Sequence, residues 1–311
     1  MDLILGLPTD HVEARDEFGT VDAVAEMAAT AEALGYAGVF VTDHPAPPQD
    51  FIASGGHHTL DPMVVLAVAA GATTRLALMT NLFIVAYRNP FVAAKAIATL
   101  DSMSGGRVIM GTGAGYLEGE FDALGVDFEH RNDVLDEHLA VMRQAWSGEP
   151  VHAEGAGYRA EGVLGLPTPV ERDGVTAPPV WVGGNSRRAL RRVATLGDGW
   201  MPIATPKGMA DFVKTASIQT MDDLAARIEL LRVAWQEAGR AGEPVIAMEP
   251  WDAGRYGTDR FDGVRYRERL AELADLGVSC APVMLSSIGR GLDLDRKGFL
   301  DRAAGFIAEV G

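Results

Sequence analysis

The sequence predicts an α/β fold, a barrel of eight parallel strands each followed by a helix, and three observations point to it. Short runs rich in Val, Ile and Leu alternate with longer stretches of helical periodicity along the 311 residues. Several helical stretches open on Pro or close on Gly, the residues that start and stop helices. The alternation gives eight units, the number that closes a parallel sheet into a barrel rather than leaving it open and doubly wound.

The units run in order. Leu3–Leu7 is the first strand, and Val21–Leu34 the first helix, stopped at Gly35. Gly38–Thr42 precedes the helix Pro62–Ala72, for which Asp61 is an N-cap. Leu76–Thr80 precedes Pro90–Met103, and Val108–Gly111 precedes Asn132–Trp146. Val180–Val182 leads to Ser186–Leu196, and Gly199–Ile203 to Met221–Ala238. Val245–Met248 with Val264–Leu276, and Ser279–Leu285 with Arg296–Val310, complete the set. The expectation is one domain over residues 1–311, a (β/α)8 TIM barrel with loop insertions. The main insertion is Ser147–Pro178; Pro45–Leu60 and Thr205–Thr220 are further long loops of the kind that carries function.

Composition narrows the chemistry. Hydrophobic residues make up 48% of the chain but aromatics only 7%, so the core is mostly aliphatic. A net charge of −16 disfavours nucleic acid and anionic membranes as partners. The single cysteine, Cys280, lies in an apolar run and reads as a core residue. The N-terminus lacks the pattern of a signal peptide and no apolar run is long enough to span a bilayer, so the expected location is cytoplasmic. His57-His58 has no further ligands at useful spacing, so no metal site is expected, and His138 reads as structural. None of Lys95, Lys207, Lys214 and Lys297 falls in a predicted strand, which argues against Schiff-base chemistry.

Barrel catalysis draws on C-terminal strand ends, and four such ends carry suitable residues. Asp43-His44 follows the second strand. An imidazole there, oriented by a carboxylate, suits acid–base work, although a polar pair opening a surface loop has the same look. Asn81-Leu82-Phe83 ends the third strand as a ligand contact or a simple turn. Gly111-Thr112-Gly113-Ala114-Gly115-Tyr116 fails the dinucleotide fingerprint, whose third glycine would fall at Tyr116. It suits close approach of backbone to a flat ring or phosphate, or a flexible turn. Gly183-Gly184-Asn185-Ser186 opens a helix and suits a phosphate, or Ser186 is an ordinary N-cap. Arg187, Arg188, Arg191 and Arg192 follow, as a basic patch or a solvated helix face. Phe51, Ile52, Tyr116, Trp181 and Trp200 are pocket walls or ordinary packing.

Together these motifs resemble the luciferase-like monooxygenase family. The resemblance rests on Tyr87-Arg88-Asn89-Pro90, on Ala98 to Arg107 with its Ser104-Gly105-Gly106-Arg107 end, and on the Gly-rich loop. Ala123 to Phe128, Pro179 to Gly184 and Gly197-Asp198-Gly199-Trp200 continue it to about residue 203, and it weakens beyond. The branch it is most similar to is that of coenzyme F420-dependent oxidoreductases. The resemblance implies a deazaflavin, or alternatively FMN, across the barrel mouth. Asp43 and His44 would lie near the reactive ring, and Asn81-Leu82 behind it, at a non-prolyl cis peptide. Gly113, Ala114, Gly115 and Tyr116 would line it, and Gly183, Gly184, Asn185 and Ser186 would hold its phosphate. His44 would give or take the proton as a hydride moves to or from a small organic substrate. The alternatives are an FMN monooxygenase fed by a partner flavin reductase and a barrel that binds flavin without turnover. A homodimer is also implied, and Ser147–Pro178 would wrap the pocket or the dimer partner.

Overall fold

The computed structural model describes residues 1–286 and 295–311. Ten strands are formed among the described residues. They are β1 (Asp2–Gly6), β2 (Gly38–Val41), β3 (Ala77–Thr80), β4 (Val108–Thr112), β5 (Val151–Gly155), β6 (Tyr158–Val163), β7 (Val180–Gly183), β8 (Gly199–Met201), β9 (Val245–Ile246) and β10 (Cys280–Val283). Eight of them pair in parallel in the order β10-β1-β2-β3-β4-β7-β8-β9. A bridge between Ala247 and Cys280, with Met248 N–H donating to Cys280 O at 2.9 Å, closes the ring between the two ends. This is the eight-unit barrel that the alternation predicts. β8 and β9 are shorter than expected, and directly beyond β9 the chain pairs through the Ala247 bridge to Cys280.

The helices are α1 (Val21–Leu34), α2 (Gln49–Ala53), α3 (Pro62–Ala72), α4 (Pro90–Ser104), α5 (Glu118–Leu124) and α6 (Arg131–Trp146). They continue with α7 (Arg187–Leu196), α8 (Lys207–Phe212), α9 (Met221–Glu237), α10 (Gly263–Asp275) and α11 (Arg296–Val310). Their starts are chemically set. Asp61 accepts from Met63 and Val64 N–H ahead of α3, and Asn89 from Phe91 and Val92 N–H ahead of α4. In both cases Pro occupies the first helical position, where no N–H is needed. The left-handed Gly35 and Gly105 end α1 and α4.

Side chains divide by face. Ile4, Phe40, Met79, Trp181, Met201, Ala247 and Cys280 fill the barrel interior. Trp200 is fully buried in the layer between sheet and helices, its Nε1 donating to Gly184 O at 2.8 Å. Trp181 and Trp200 are thus packing residues. At Gly111 a Cβ would come within 2.1 Å of Thr80 O, so only glycine lets β3 and β4 approach there.

The Ser104-Gly105-Gly106-Arg107 segment has a structural purpose. Arg107 donates to Ser104 O at the end of α4, and to Ala70 O, Thr73 O and Leu76 O around the end of α3. One guanidinium thereby satisfies orphan carbonyls of two helix ends.

The insertion at 147–178 contains an antiparallel hairpin, β5 with β6, for which the sequence reading assigned no element. It lies along the outer face of α4 and α6. Its turn is held by Asn89 Nδ2 on Gly157 O and by Glu137 on Ala156 N–H. Its far end is held by Asp101, which is fully buried and accepts from Val170 N–H at 2.9 Å and from the Arg172 guanidinium. The expectation that this segment wraps the pocket is therefore corrected, since the contacts that hold it are with the helix layer. Asp101→Ala is expected to destabilise the protein by about 3–5 kcal/mol, because it strands a partly buried arginine. Urea unfolding with limited proteolysis of residues 147–178 checks this, and an unchanged midpoint with an intact arm would contradict it.

Candidate active site

Every candidate residue group of the sequence reading lies at the C-terminal end of one of four strands that are consecutive in the sheet, β2, β3, β4 and β7. Together they form one side of the barrel mouth.

His44 is held by a residue that the sequence reading missed. Its Nδ1 lies 3.1 Å from Oε2 of Glu120, and Glu120 is completely buried on α5. The same carboxylate accepts from Tyr87 O–H at 2.8 Å and, through Oε1, from Ala46 N–H at 3.2 Å. Three loop segments, after β2, β3 and β4, thus meet on one carboxylate. With Nδ1–H directed at Glu120, the exchangeable position on His44 is Nε2, which faces Tyr116 O–H at 3.5 Å. Burial, with the nearby Glu120 charge, pushes the Tyr116 phenol up to about 12, so it stays protonated at neutral pH. Burial and Glu120 also raise Tyr87 far above its ordinary value. The available sequence signal for Glu120 was its place just after the Gly-rich loop. A glutamate on a short helix carries no periodicity that marks it as buried.

Asp43 does not orient His44. Its carboxylate forms a bidentate pair with Arg88, at 2.6 and 2.8 Å, and accepts from Ile84 N–H at 3.0 Å. Arg88 also covers the Phe83 ring at 4.1 Å. Asp43 therefore braces the segment leaving β3, and the carboxylate partner expected for the imidazole is Glu120 instead. The Tyr87-Arg88-Asn89-Pro90 motif combines a Glu120 ligand, an Asp43 ligand, a helix cap and a helix-opening proline.

The Asn81–Leu82 peptide is cis. The Leu82 side chain lies between the two glycine loops, since a Cβ would come within 2.7 Å of it at Gly113 and 2.4 Å at Gly183. Those glycines make room for Leu82, so the surface offered to a flat ring includes the leucine and is not bare backbone. Gly115 has φ +77°, and a Cβ there would meet Phe121 at 2.9 Å. Ala114 packs against the core.

At the start of α7, Ser186 Oγ accepts from Ala189 N–H, an N-cap. The first-turn amides of Arg187 and Arg188 have no carbonyl partner within the helix and point out of its N-terminus. Asn185 is fully buried and its side chain is occupied. It donates to Ile203 O and Ala216 O at 2.8 Å and accepts from Ile203 N–H, while its own N–H donates to Thr215 Oγ1. Its role in the structure is to tie the loop after β8 to this turn, so its side chain has no free group for a phosphate. The basic patch is also committed. Arg188 pairs with Asp133 and Asp136, and buried Arg192 with Asp136, leaving Arg187 and Arg191 exposed.

Phe212, which escaped the sequence reading, reaches Phe51 and Tyr116 from α8, and His57, read there as part of a loop pair without metal, stands edge-on to His44 at 4.9 Å. Burial lowers His57 to about 4, so it is neutral at physiological pH. Beyond β1, Thr9, Asp10 and His11 are buried, and Thr9 Oγ1, Asp10 Oδ2 and His11 Nε2 have no hydrogen-bond partner among the described residues. Burial lifts Asp10 from 3.8 to about 6, against the opposing pull of His11. A carboxyl raised on folding contributes stability below its unfolded pKa and loses it as pH rises toward the folded value. Asp10→Asn is therefore expected to flatten the fall in Tm between about pH 4 and pH 6 and to raise Tm by a few degrees at pH 7. Thermal unfolding across pH tests it; a parallel profile for variant and parent would refute the assignment. Asn185→Ala is expected to cost about 1–3 kcal/mol by stranding buried backbone groups. Faster hydrogen exchange confined to residues 203–218 would identify the loosened loop.

Comparison with known proteins agrees with this geometry. The model of the luciferase-like monooxygenase family matches residues 1–249, farther than the quoted motifs reach. An F420-dependent glucose-6-phosphate dehydrogenase from Intrasporangium calvum is 31% identical over 300 residues, covering 91% of this chain and 86% of that protein. Monooxygenase RslO1 from Streptomyces bottropensis superposes with a TM-score of 0.75 at 18% identity, covering 99% of this chain and 97% of that one. An F420-dependent secondary alcohol dehydrogenase, solved with an F420–acetone adduct, gives 0.71 at 18% identity, covering 100% and 99%. With its barrel, its mouth residues and a family match over most of its length, the chain belongs to the luciferase-like monooxygenase family of oxidoreductases.

Proposed function

We propose that this protein is an F420-dependent oxidoreductase that moves a hydride between the deazaflavin and a small organic substrate, with His44 as proton donor or acceptor. The observation that carries the reading is the buried Glu120 carboxylate that holds His44 at the mouth. The F420-dependent relative at 31% identity over 91% of the chain supports the choice of cofactor.

The residues suit a flat, phosphorylated group. Leu82 gives an apolar surface at the mouth, and the turn Gly183-Gly184 leads into the start of α7, where helix amides meet a phosphate. Asn81, Gly113, Ala114, Gly115 and Tyr116 would line the ring, and Gly183, Gly184 and Ser186 would hold the phosphate. Asn185 would act by fixing that turn. F420 would supply the hydride-carrying ring carbon. Glu120 keeps the His44 Nδ1 proton in place, so Nε2 alone exchanges a proton with the substrate. Tyr116, protonated by its environment, donates toward the same space. Asp43 acts at a distance, by bracing the β3 exit through Arg88.

The likeness to a monooxygenase favours a second reading, in which reduced FMN from a partner reductase activates oxygen at this site. The two readings share the barrel mouth and differ in cofactor. A homodimer fits the exposed Val64 on α3, Val92 and Met103 on α4, and Leu164 and Leu166 on the arm.

Fluorescence titration with F420 and with FMN separates the readings. Preference for F420 is expected; preference for FMN, with oxygen uptake on adding reduced flavin, would replace the first reading by the second. His44→Ala is expected to lower turnover by roughly 10²–10⁴-fold while leaving F420 affinity nearly unchanged. Glu120→Gln should lower kcat with little change in KM and alter the pH profile of kcat. Normal turnover in His44→Ala would remove its assigned role.

A further inference from the structure

In the ring of eight strands, β2 and β8 stand four places apart, on opposite walls. The loops that follow them nevertheless meet over the mouth. Phe51 on α2, after β2, and Phe212 on α8, after β8, present near-parallel rings, 13° apart in plane and 6.5 Å between centroids. Tyr116, after β4, stands edge-on to both, at 5.5 Å from Phe212 and 6.4 Å from Phe51. His44 lies 5.4 Å from the Phe51 ring. Three loops from three strands thus build a box with two flat faces, an aromatic edge and the imidazole beside it.

The spacing has a chemical meaning. Phe51 and Phe212 present near-parallel faces with centroids 6.5 Å apart, so a further flat ring beside them meets aromatic surface on both. Phe212 is 51% exposed, an apolar surface that a ligand ring would cover. The loop carrying it is fastened at its base by the Thr205–Ile218 bridge and by Asn185, and Ala210 of α8 is buried, so Phe212 is held over the mouth. The polar groups facing the box are uncharged phenol and imidazole: Tyr116 keeps its proton and His57 is neutral. The Glu120 carboxylate behind it is spent on His44, Tyr87 and Ala46.

We propose that the substrate carries a flat, uncharged aromatic ring that stacks against Phe51 and Phe212, with an oxygen substituent directed to Tyr116 and His44. This deepens the oxidoreductase reading of the same mouth, on which it rests, by naming the substrate class. A flat ring bound here has two sources, the substrate or the cofactor itself, and the proposal commits to the substrate.

The test uses 2-naphthol as the flat probe and decahydro-2-naphthol as its saturated counterpart, each titrated into the full-length protein with and without saturating F420. Saturation-transfer NMR and calorimetry report binding. The naphthol is expected to bind about tenfold more tightly than the saturated alcohol, the advantage of stacking on two ring faces, and to bind in the presence of F420. Phe212→Leu, which keeps an apolar side chain but removes the flat face, should erase that preference and leave F420 affinity unchanged. Phe212→Tyr should retain it. Equal binding of the two alcohols, binding of neither, or displacement of naphthol by F420 would each overturn the proposal. Failure of F420 to bind, with naphthol preference intact, would instead count against the oxidoreductase reading alone.

Discussion

The Glu120 carboxylate organises the mouth of this barrel. A fully buried carboxylate is costly unless its oxygens are satisfied, and here they are satisfied only when three separate segments converge. His44 and Ala46 come from the loop after β2, Tyr87 from the exit of β3, and Glu120 itself from the helix after the Gly-rich loop of β4. If any of these segments drifts, a buried polar group loses its partner. The interaction that aims His44 is therefore the one that holds the loops together, and the position of the imidazole comes with the stability of the rim.

Two further anchors extend this pattern around the rim. The Asp43–Arg88 pair fixes the chain just after the cis peptide, in line with the segment that delivers Tyr87 to Glu120. Asn185 joins the turn ahead of α7 to the loop that carries Phe212. Each anchor is buried and uses most of its bonding capacity, so the loops are long but not loose at their bases.

The charge distribution follows a similar economy. In a chain of net charge −16, two of the four arginines on α7, Arg188 and Arg192, are matched to acids on α6. Arg107 and Arg172 likewise serve carbonyls and Asp101 in the helix layer.

By itself the sequence determined the barrel, its eight units in order, most helix starts and the four strand ends where the candidate residues lie. These features are encoded locally, in apolar periodicity, in Asp61-Pro62 and Asn89-Pro90, and in glycine where two backbones meet. It also placed His44 at the mouth, because a strand end is legible from the strand. The tertiary structure alone decided who partners whom. Glu120 is separated from His44 by 76 residues, Asp43 was taken up by Arg88, Asn185 by the loop after β8, and Arg192 by α6. The hairpin at 147–178 was hidden because its strands are short, half-exposed and broken by a bulge. Residue type and local spacing state what a side chain offers. Which bond it makes depends on the segments brought beside it by closing the barrel, and one sequence read along its length holds no local signal of that meeting.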